Sequence, residues 1–205
     1  SQINKFLKQI GGKNGQKATF FCTGIIAQHI PELVRQMASD GHEIGCHYYF
    51  HDVMNVQRTS DVARNLERAK DFLENASGQI VRGFRAPQFK IDKKNTKQYE
   101  LVQKYFDYDS SFPTGDLKEI AQFKDHMKIN KLKIFPIYWG NSYGFKLRLG
   151  GSYLKLFPYS MSKRLIDRAL EKGFTPHIYV HPFEFDSKQK YRVTFGELKS
   201  LGMAR

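Results

Sequence analysis

The order of segments predicts an α/β fold organised on a parallel sheet or barrel. Three observations carry that expectation. Short β-prone runs at residues 18–23, 43–46, 83–85, 131–138 and 177–180 alternate with longer stretches of helical periodicity, the pattern of repeated βαβ units. Glycine or proline punctuates most of the junctions. The 205 residues are 40% hydrophobic, enough for a core, and show no internal repeat or linker-like shift in composition. Residues 1–205 therefore read as a single domain.

The elements follow in chain order. Apolar residues at 3, 6, 7 and 10 have helical spacing, and the glycines between 11 and 15 break it. Ala-Thr-Phe-Phe-Cys-Thr at 18–23, with Gly24 behind it, reads as a buried strand. Residues 31–39 read as a helix with Pro31 in its first turn. Gly41 ends that helix, His42 lies in the turn, and 43–46 is a second strand. Ser60 can cap a helix through Asn75, whose residues 62, 66, 69 and 73 share one apolar face. A strand end at 83–85 is cut by Pro87, and a helix at 95–104 leads into a short segment at 105–110. Residues 131–138 alternate as a strand does, and 140–159, rich in aromatics and glycine, reads as a long loop. Residues 160–172 form an amphipathic helix with Ser160 or Ser162 near its cap, and Gly173 closes it. His177 opens a last apolar strand that runs into His181.

Charge and cysteine usage narrow the function classes. Lys and Arg number 33 against 20 Asp and Glu, a formal net charge of +13 that favours polyanions. The basic residues are scattered, with small clusters at 90–97, 124–133 and 146–155, and no nucleic-acid motif accompanies them. A solvated lysine-rich surface, or an acidic glycan as partner, fits this scatter better than nucleic acid. Cys22 and Cys46 lie in apolar strand-like runs and read as buried free thiols, which favours a reducing, cytoplasmic compartment. The longest apolar stretches, 18–22 and 25–27, fall short of the ~20 residues that span a bilayer.

Four segments sit where strands end, the place where a parallel barrel gathers its chemistry. In Gly-Cys-His-Tyr-Tyr-Phe-His-Asp at 45–52, His47 and His51 can face one metal if the chain turns helically, or can be histidines packed among aromatics. In Gly-Phe-Arg-Ala-Pro-Gln-Phe at 83–89, Arg85 can hold a carboxylate in place or make an ordinary ion pair. In Phe-Asp-Tyr-Asp-Ser-Ser at 106–111, one aspartate can orient a histidine and the serines can cap, while Asp107 suits a turn. In Ile-Tyr-Val-His-Pro-Phe-Glu at 178–184, His181 is placed for acid–base work or for a hydrogen bond within the core.

Together, the four segments resemble the polysaccharide deacetylase family of chitin-deacetylase-like carbohydrate esterases. The resemblance rests on Ala-Thr-Phe-Phe (18–21), Gly-His-Glu-Ile-Gly (41–45), His-x-x-x-His (47–51), Arg-x-Pro (85–87) and the strand-end His181. Arg-Ala-Pro-x-Phe, Tyr-Asp-Ser-Ser (108–111), Gly-Gly-x-Tyr (150–153), Phe-Pro-Tyr (157–159) and Tyr-Val-His-Pro-Phe-Glu-Phe-Asp (179–186) are similar to the subgroup linked to exopolysaccharide, capsule or O-antigen assembly.

The resemblance implies a distorted (β/α)7 barrel and hydrolysis of the acetamide of an N-acetylated sugar in a surface polysaccharide or its precursor. It implies a divalent metal, usually zinc, with His47 and His51 as the two histidine ligands. Arg85 would orient the catalytic base, and the backbone N–H of Gln88 would serve the oxyanion. His181 would be the general acid, held in its tautomer by a carboxylate for which Asp109 matches best. Gln88, Phe89 and Tyr153 would contact substrate. Tyr48 and Gln88 depart from the residues usual at their positions, which bears on substrate shape.

The family's two aspartates, metal ligand and base, lie in one Asp-Asp motif on the first strand. Here the first acidic residue is Glu32 and the first aspartate is Asp40. The expectation is therefore a barrel whose first strand this chain does not carry. A rival is a catalytically impaired relative that binds acidic glycan or scaffolds glycan assembly, since losing a general base costs about 10²–10⁴-fold in rate. Hydrolysis of a small cyclic amide on the same fold is a third expectation. The expected partner is an N-acetylated glycan, not nucleic acid.

Overall fold

The computed structural model describes residues 15–94, 96–142, 144–151 and 153–185. The helix expected at 3–10 and Asp186 lie outside them. Strand β1 (Thr19–Cys22) is followed by α1 (Gly24–His29), α2 (Pro31–Ser39), β2 (Glu43–Cys46) and α3 (Thr59–Ser77). Then come β3 (Gly83–Phe84), α4 (Thr96–Tyr105), β4 (Tyr108–Asp109), β5 (Pro113–Thr114) and α5 (Leu117–His126). The described chain ends with β6 (Lys133–Ile134), β7 (Ile137–Ser142), β8 (Phe145–Arg148), α6 (Tyr153–Leu156) and α7 (Tyr159–Glu171).

The expected α/β architecture holds. Five strands form a parallel sheet in the order β1-β2-β3-β4-β6, and a second sheet runs β5-β7-β8. Strand β7 is parallel to β5 and antiparallel to β8. Among the described residues the two sheets do not close on each other, so the barrel is open and distorted. The run expected as one strand at 131–138 divides into β6 and β7 around Phe135 and Pro136. Proline has no N–H to give the ladder, and the chain leaves one sheet for the other there.

Helix α3 organises the larger core. Val62, Leu66, Ala69, Leu73 and Ala76 are its buried face, which includes the four positions read from the sequence. It packs against α1, α2, α4 and β2. Each fully buried aliphatic side chain contributes roughly 1.5–3 kcal/mol. Arg58, not Ser60, stands at its N-cap, and Gly78 ends it in the left-handed conformation, φ 69°. Gly24 lets α1 approach: a Cβ there would lie 2.7 Å from the Ala69 Cα and from the Tyr49 ring.

A second core joins Tyr138, Leu147 and Leu149 of the hairpin region to Met161, Leu165 and Ala169 of α7 and to Phe174. Residues 140–159, expected as a loop, are mostly structured. They complete β7, turn at Gly144, return as β8 and form α6. Pro158 occupies the N-cap of α7, so both candidate cap serines fall inside the helix. The strand expected at 177–180 is reduced to one bridge between Tyr179 and Gly150. Pro176 and Pro182 flank it and give no N–H to extend the pairing. Cys22 and Cys46 are buried free thiols, as expected, and burial pushes both up to about 12. No helix among the described residues is long and apolar enough to cross a membrane.

Replacing Gly24 by Ala is expected to lower stability by about 1–3 kcal/mol, because the Ala69 backbone opposite cannot give way. Val56→Ala, at a side chain 80% exposed, should change stability by less than about 0.5 kcal/mol. Urea unfolding midpoints of the two variants check both.

Candidate functional site

The C-terminal ends of β2, β3 and β4 present His47, Arg85 and Ser110 in neighbouring positions. A ladder of backbone bonds fixes them. The His47 N–H donates to Cys22 O at 2.7 Å, Arg85 to Cys46 O at 2.9 Å and Ser110 to Phe84 O at 2.8 Å. Each residue is thus the first beyond its strand and is still tied to the strand beside it.

His47 and His51 converge. Their ring centroids lie 5.0 Å apart in an edge-to-face arrangement. His47 Nδ1 lies 2.6 Å from the Arg85 carbonyl oxygen. A carbonyl only accepts, so Nδ1 carries the proton and Nε2 keeps its lone pair. This is how a metal-ligating imidazole is commonly oriented. Burial, reinforced by the nearby charges of His51, Arg85 and His181, lowers the His47 pKa to about 4. The ring is neutral at pH 7, as a ligand must be. The two imidazoles fit a divalent metal as two of its ligands. Among the described residues no third His, Cys, Asp or Glu joins them as a metal-holding group.

The turn between the histidines runs through Tyr48 at φ 68°. A tyrosine in this region stores backbone strain of about 1–3 kcal/mol. Its fully buried ring anchors it, donating from its hydroxyl to Gln57 Oε1 at 2.8 Å and accepting from Asn65 at 3.1 Å. Tyr48 therefore faces the core near α3. The tyrosine expected to bear on substrate shape thus points into the core, and its left-handed backbone bends the turn that carries the two histidines.

Arg85 is held by Ser110, donating to its carbonyl at 3.2 Å and to its hydroxyl at 2.9 Å. Its guanidinium lies over the Phe21 ring at 4.3 Å. Burial lowers its pKa to about 10, so it stays charged. Beyond Pro87, both Gln88 (φ 55°) and Phe89 (φ 58°) are left-handed, turning the chain sharply at the expected oxyanion donor. The Gln88 side chain is exposed. The Phe89 ring lies 5.3 Å from Tyr179 and 5.7 Å from the Arg85 guanidinium.

Asp109 is fully buried at the end of β4. The Ser111 hydroxyl donates to its Oδ1 and accepts from the Ala86 N–H. Among the described residues its Oδ2 has no hydrogen-bond partner. Burial raises the carboxyl from 3.8 to about 6, against the opposing pull of Ser111, Arg85 and Lys93.

His181 is exposed and follows the Tyr179 bridge. Its ring stacks on Phe183, centroids 5.1 Å apart. The carboxylate beside it is Glu184, not the expected Asp109. Glu184 Oε2 accepts the His181 backbone N–H at 2.7 Å and lies 3.5 Å from Nδ1. The short 3-10 turn Pro182–Phe185 brings Glu184 back over His181, whereas Asp109 is fully buried at the end of β4 with its Oδ1 bonded to Ser111. Tyr153 opens α6, with its ring stacked on Phe157 at 6.3 Å. Asp107 makes an exposed ion pair with Arg82 at 2.8 Å.

Sequence reasoning missed Phe21, Ser110, Ser111, Tyr179 and Glu184 as site residues. The serines lay in the Tyr-Asp-Ser-Ser motif, where their spacing suggested caps. Glu184 was legible as an acid three residues after His181.

Residues 4–104 match the family model described as Polysaccharide deacetylase, and residues 110–201 match a domain of unknown function (DUF3473). His47, His51 and Arg85 fall in the first match, and Ser110, Ser111 and His181 in the second. The chain is 25% identical over 180 residues to a chitin deacetylase of Colletotrichum lindemuthianum, covering 84% of this chain and 69% of that protein. It is 38% identical over 71 residues to a chitooligosaccharide deacetylase of Azorhizobium caulinodans, covering 34% of each. The chain thus spans about a third of that relative. The solved structure of a family 4 carbohydrate esterase from Streptomyces lividans, in complex with acetate, shares the fold. Its TM-score is 0.50 at 18% identity, over 86% of this chain and 84% of that one.

Asp109 makes stability depend on pH. Between about pH 4 and 6 the unfolded chain has released this proton and the folded chain still holds it. The contribution is complete below pH 4 and is lost as pH rises through 6. From pH 4 to 7 the wild type should therefore lose up to roughly 3 kcal/mol relative to Asp109→Asn. Urea unfolding of both proteins at the two pH values measures this; a constant difference contradicts it.

Proposed function

We propose that this chain, which belongs to the polysaccharide deacetylase family, hydrolyses the acetamide of an N-acetylated sugar in a surface polysaccharide or its precursor. The observation that carries the proposal is the His47–His51 pair. The two rings converge at a strand end, and the Arg85 carbonyl fixes the tautomer that leaves Nε2 of His47 open.

Each side chain has a task in this reading. His47 and His51 would hold a divalent metal such as zinc, which polarises the acetamide carbonyl and makes water a nucleophile near neutral pH. Water adds to the carbonyl carbon and loses its proton to solvent, the C–N bond breaks, and acetate and an amino sugar result. The Gln88 N–H, turned by the two left-handed residues after Pro87, donates to the carbonyl oxygen as negative charge builds there. His181 gives a proton to the departing nitrogen. Glu184 Oε2 stands 3.5 Å from its Nδ1, so the proton is delivered from Nε2. Arg85, tied to Ser110 and lying on Phe21, supports the floor of the site with a fixed positive charge. Phe89, Tyr153 and Tyr179 offer ring faces on which sugar rings can lie.

With N-acetylchitotetraose as substrate, His47→Ala and His51→Ala are each expected to reduce acetate release at least about 10²-fold. His181→Ala should reduce it about 10²–10⁴-fold. Enzymatic acetate assays measure all three. Release at the wild-type rate in both histidine-pair variants would overturn the proposal.

A further inference from the structure

We propose that the outer face of the β7–β8 hairpin, built on Trp139, Lys146 and Arg148, is a binding subsite for an acidic sugar residue, a pyranose bearing a carboxylate. That this sugar belongs to the substrate rests on the deacetylase reading; the make-up of the face does not.

The charge on this part of the chain is one-sided. Residues 126–166 hold eight Lys or Arg and no Asp or Glu, so 41 residues carry +8 of the formal charge of +13. They supply β6, β7, β8 and α6. Such a segment offers its own cations no local carboxylate, and its field favours an anionic partner. Among the described residues, neither Lys146 nor Arg148 forms an ion pair.

The antiparallel register sorts the hairpin's side chains onto two faces. Trp139 stands opposite Arg148 and Asn141 opposite Lys146, while Gly140 stands opposite Leu147. Directly paired residues share a face, and successive pairs alternate between faces. Leu147 is buried with Leu165 and Ala169 of α7, so the Trp139 face is turned away from that helix. Asn141 and Lys146 are exposed, and Trp139 is partly buried. The Lys146 ammonium lies 3.5 Å from the Trp139 ring centroid. Just past β5, a Cβ at Gly115 would lie 2.9 Å from the Trp139 carbonyl oxygen and 3.7 Å from its ring. Glycine there keeps that flank of the indole clear.

The face is continuous with the candidate centre. The Arg148 guanidinium lies 5.9 Å from the Phe89 ring, Phe89 lies 5.3 Å from Tyr179, and Tyr179 lies 6.2 Å from His181. A line of aromatic and cationic contacts thus runs from His181 to Trp139 and Lys146. An acidic pyranose matches its far end at two points. The C–H face of the sugar stacks on an indole, and its carboxylate pairs with a guanidinium or ammonium beside that ring.

Trp139 is the chain's one tryptophan, so its emission reports on this face. The full chain is titrated with a tetrasaccharide alternating glucuronate and N-acetylglucosamine, with neutral N-acetylchitotetraose, and with a thymidine tetranucleotide. Calorimetry gives the affinities, Trp139 fluorescence locates the binding, and circular dichroism checks the folding of each variant. The acidic tetrasaccharide should change the emission and bind at least tenfold tighter than the neutral one, about 1.4 kcal/mol. Added salt should erode that ratio. Lys146→Met and Arg148→Met should each reduce it at least threefold, and Lys104→Met, at an exposed position on α4, should leave it unchanged. Equal affinity for the two saccharides, an acidic saccharide that leaves the emission unchanged, unaltered ratios in both hairpin variants, or tighter binding of the tetranucleotide overturns the subsite. Acetate release is followed on both saccharides in parallel. If neither releases acetate the deacetylase reading fails, and the emission titration still decides the subsite.

Discussion

The hydrogen bond from His47 Nδ1 to the Arg85 carbonyl, at 2.6 Å, joins the ends of β2 and β3 and sets the chemistry of the centre. It needs both strands in register, because His47 and Arg85 are the first residues beyond them, and their own N–H groups are tied to Cys22 and Cys46. A side chain oriented this way depends on the backbone of a residue 38 positions away. The bond assigns the imidazole tautomer, and burial keeps the ring neutral. A parallel sheet supplies this arrangement readily: adjacent strands end at the same edge, and each provides the next with a carbonyl.

Behind that bond lies a polar layer that is costly to bury and is largely satisfied. Ser111 serves both the Ala86 N–H and Asp109 Oδ1, while Ser110 holds the guanidinium of Arg85. Asp109 Oδ2 is the exception among these atoms. An unsatisfied buried oxygen costs about 1–3 kcal/mol, and the raised carboxyl is the response, since a protonated acid is less costly to bury than an anion. The left-handed Tyr48 adds a second local cost, offset by burying its ring under two hydrogen bonds. Strain and buried polarity thus collect around the two residues that present His47 and Arg85, where positions must be held closely.

Much of the fold was legible because punctuation and periodicity agreed. Strand β2 and helix α2 have the expected bounds, 43–46 and 31–39, since Pro31 starts the helix and Gly41 ends its turn. The apolar face of α3 was read correctly from four positions. Other elements lacked a decisive signal. The six residues of α1 are too short for periodicity to register. Helix α5, capped by Asp116, has no fully buried residue and meets the core through the partly buried Phe123, so its core face is too narrow to read. The β7–β8 hairpin was obscured by the density of aromatics and glycines between 140 and 159. At the site, residue types and strand-end positions were readable, but the partner of His181 was not. Choosing Glu184 over Asp109 depends on which carboxylate the fold brings to Nδ1 of His181, and Glu184 is the one at 3.5 Å.

The sequence by itself determined the alternation of elements, the apolar faces and the four segments that place chemistry at strand ends. These are local properties, written in spacing and residue type. Only the tertiary structure decided that His47 donates to Arg85, that Tyr48 turns inward and that the Phe89 ring meets Tyr179. Each depends on contacts between residues distant in the chain, where packing selects one partner from several of suitable chemistry. Spacing along the chain can list those candidates, but the distances between folded elements choose among them.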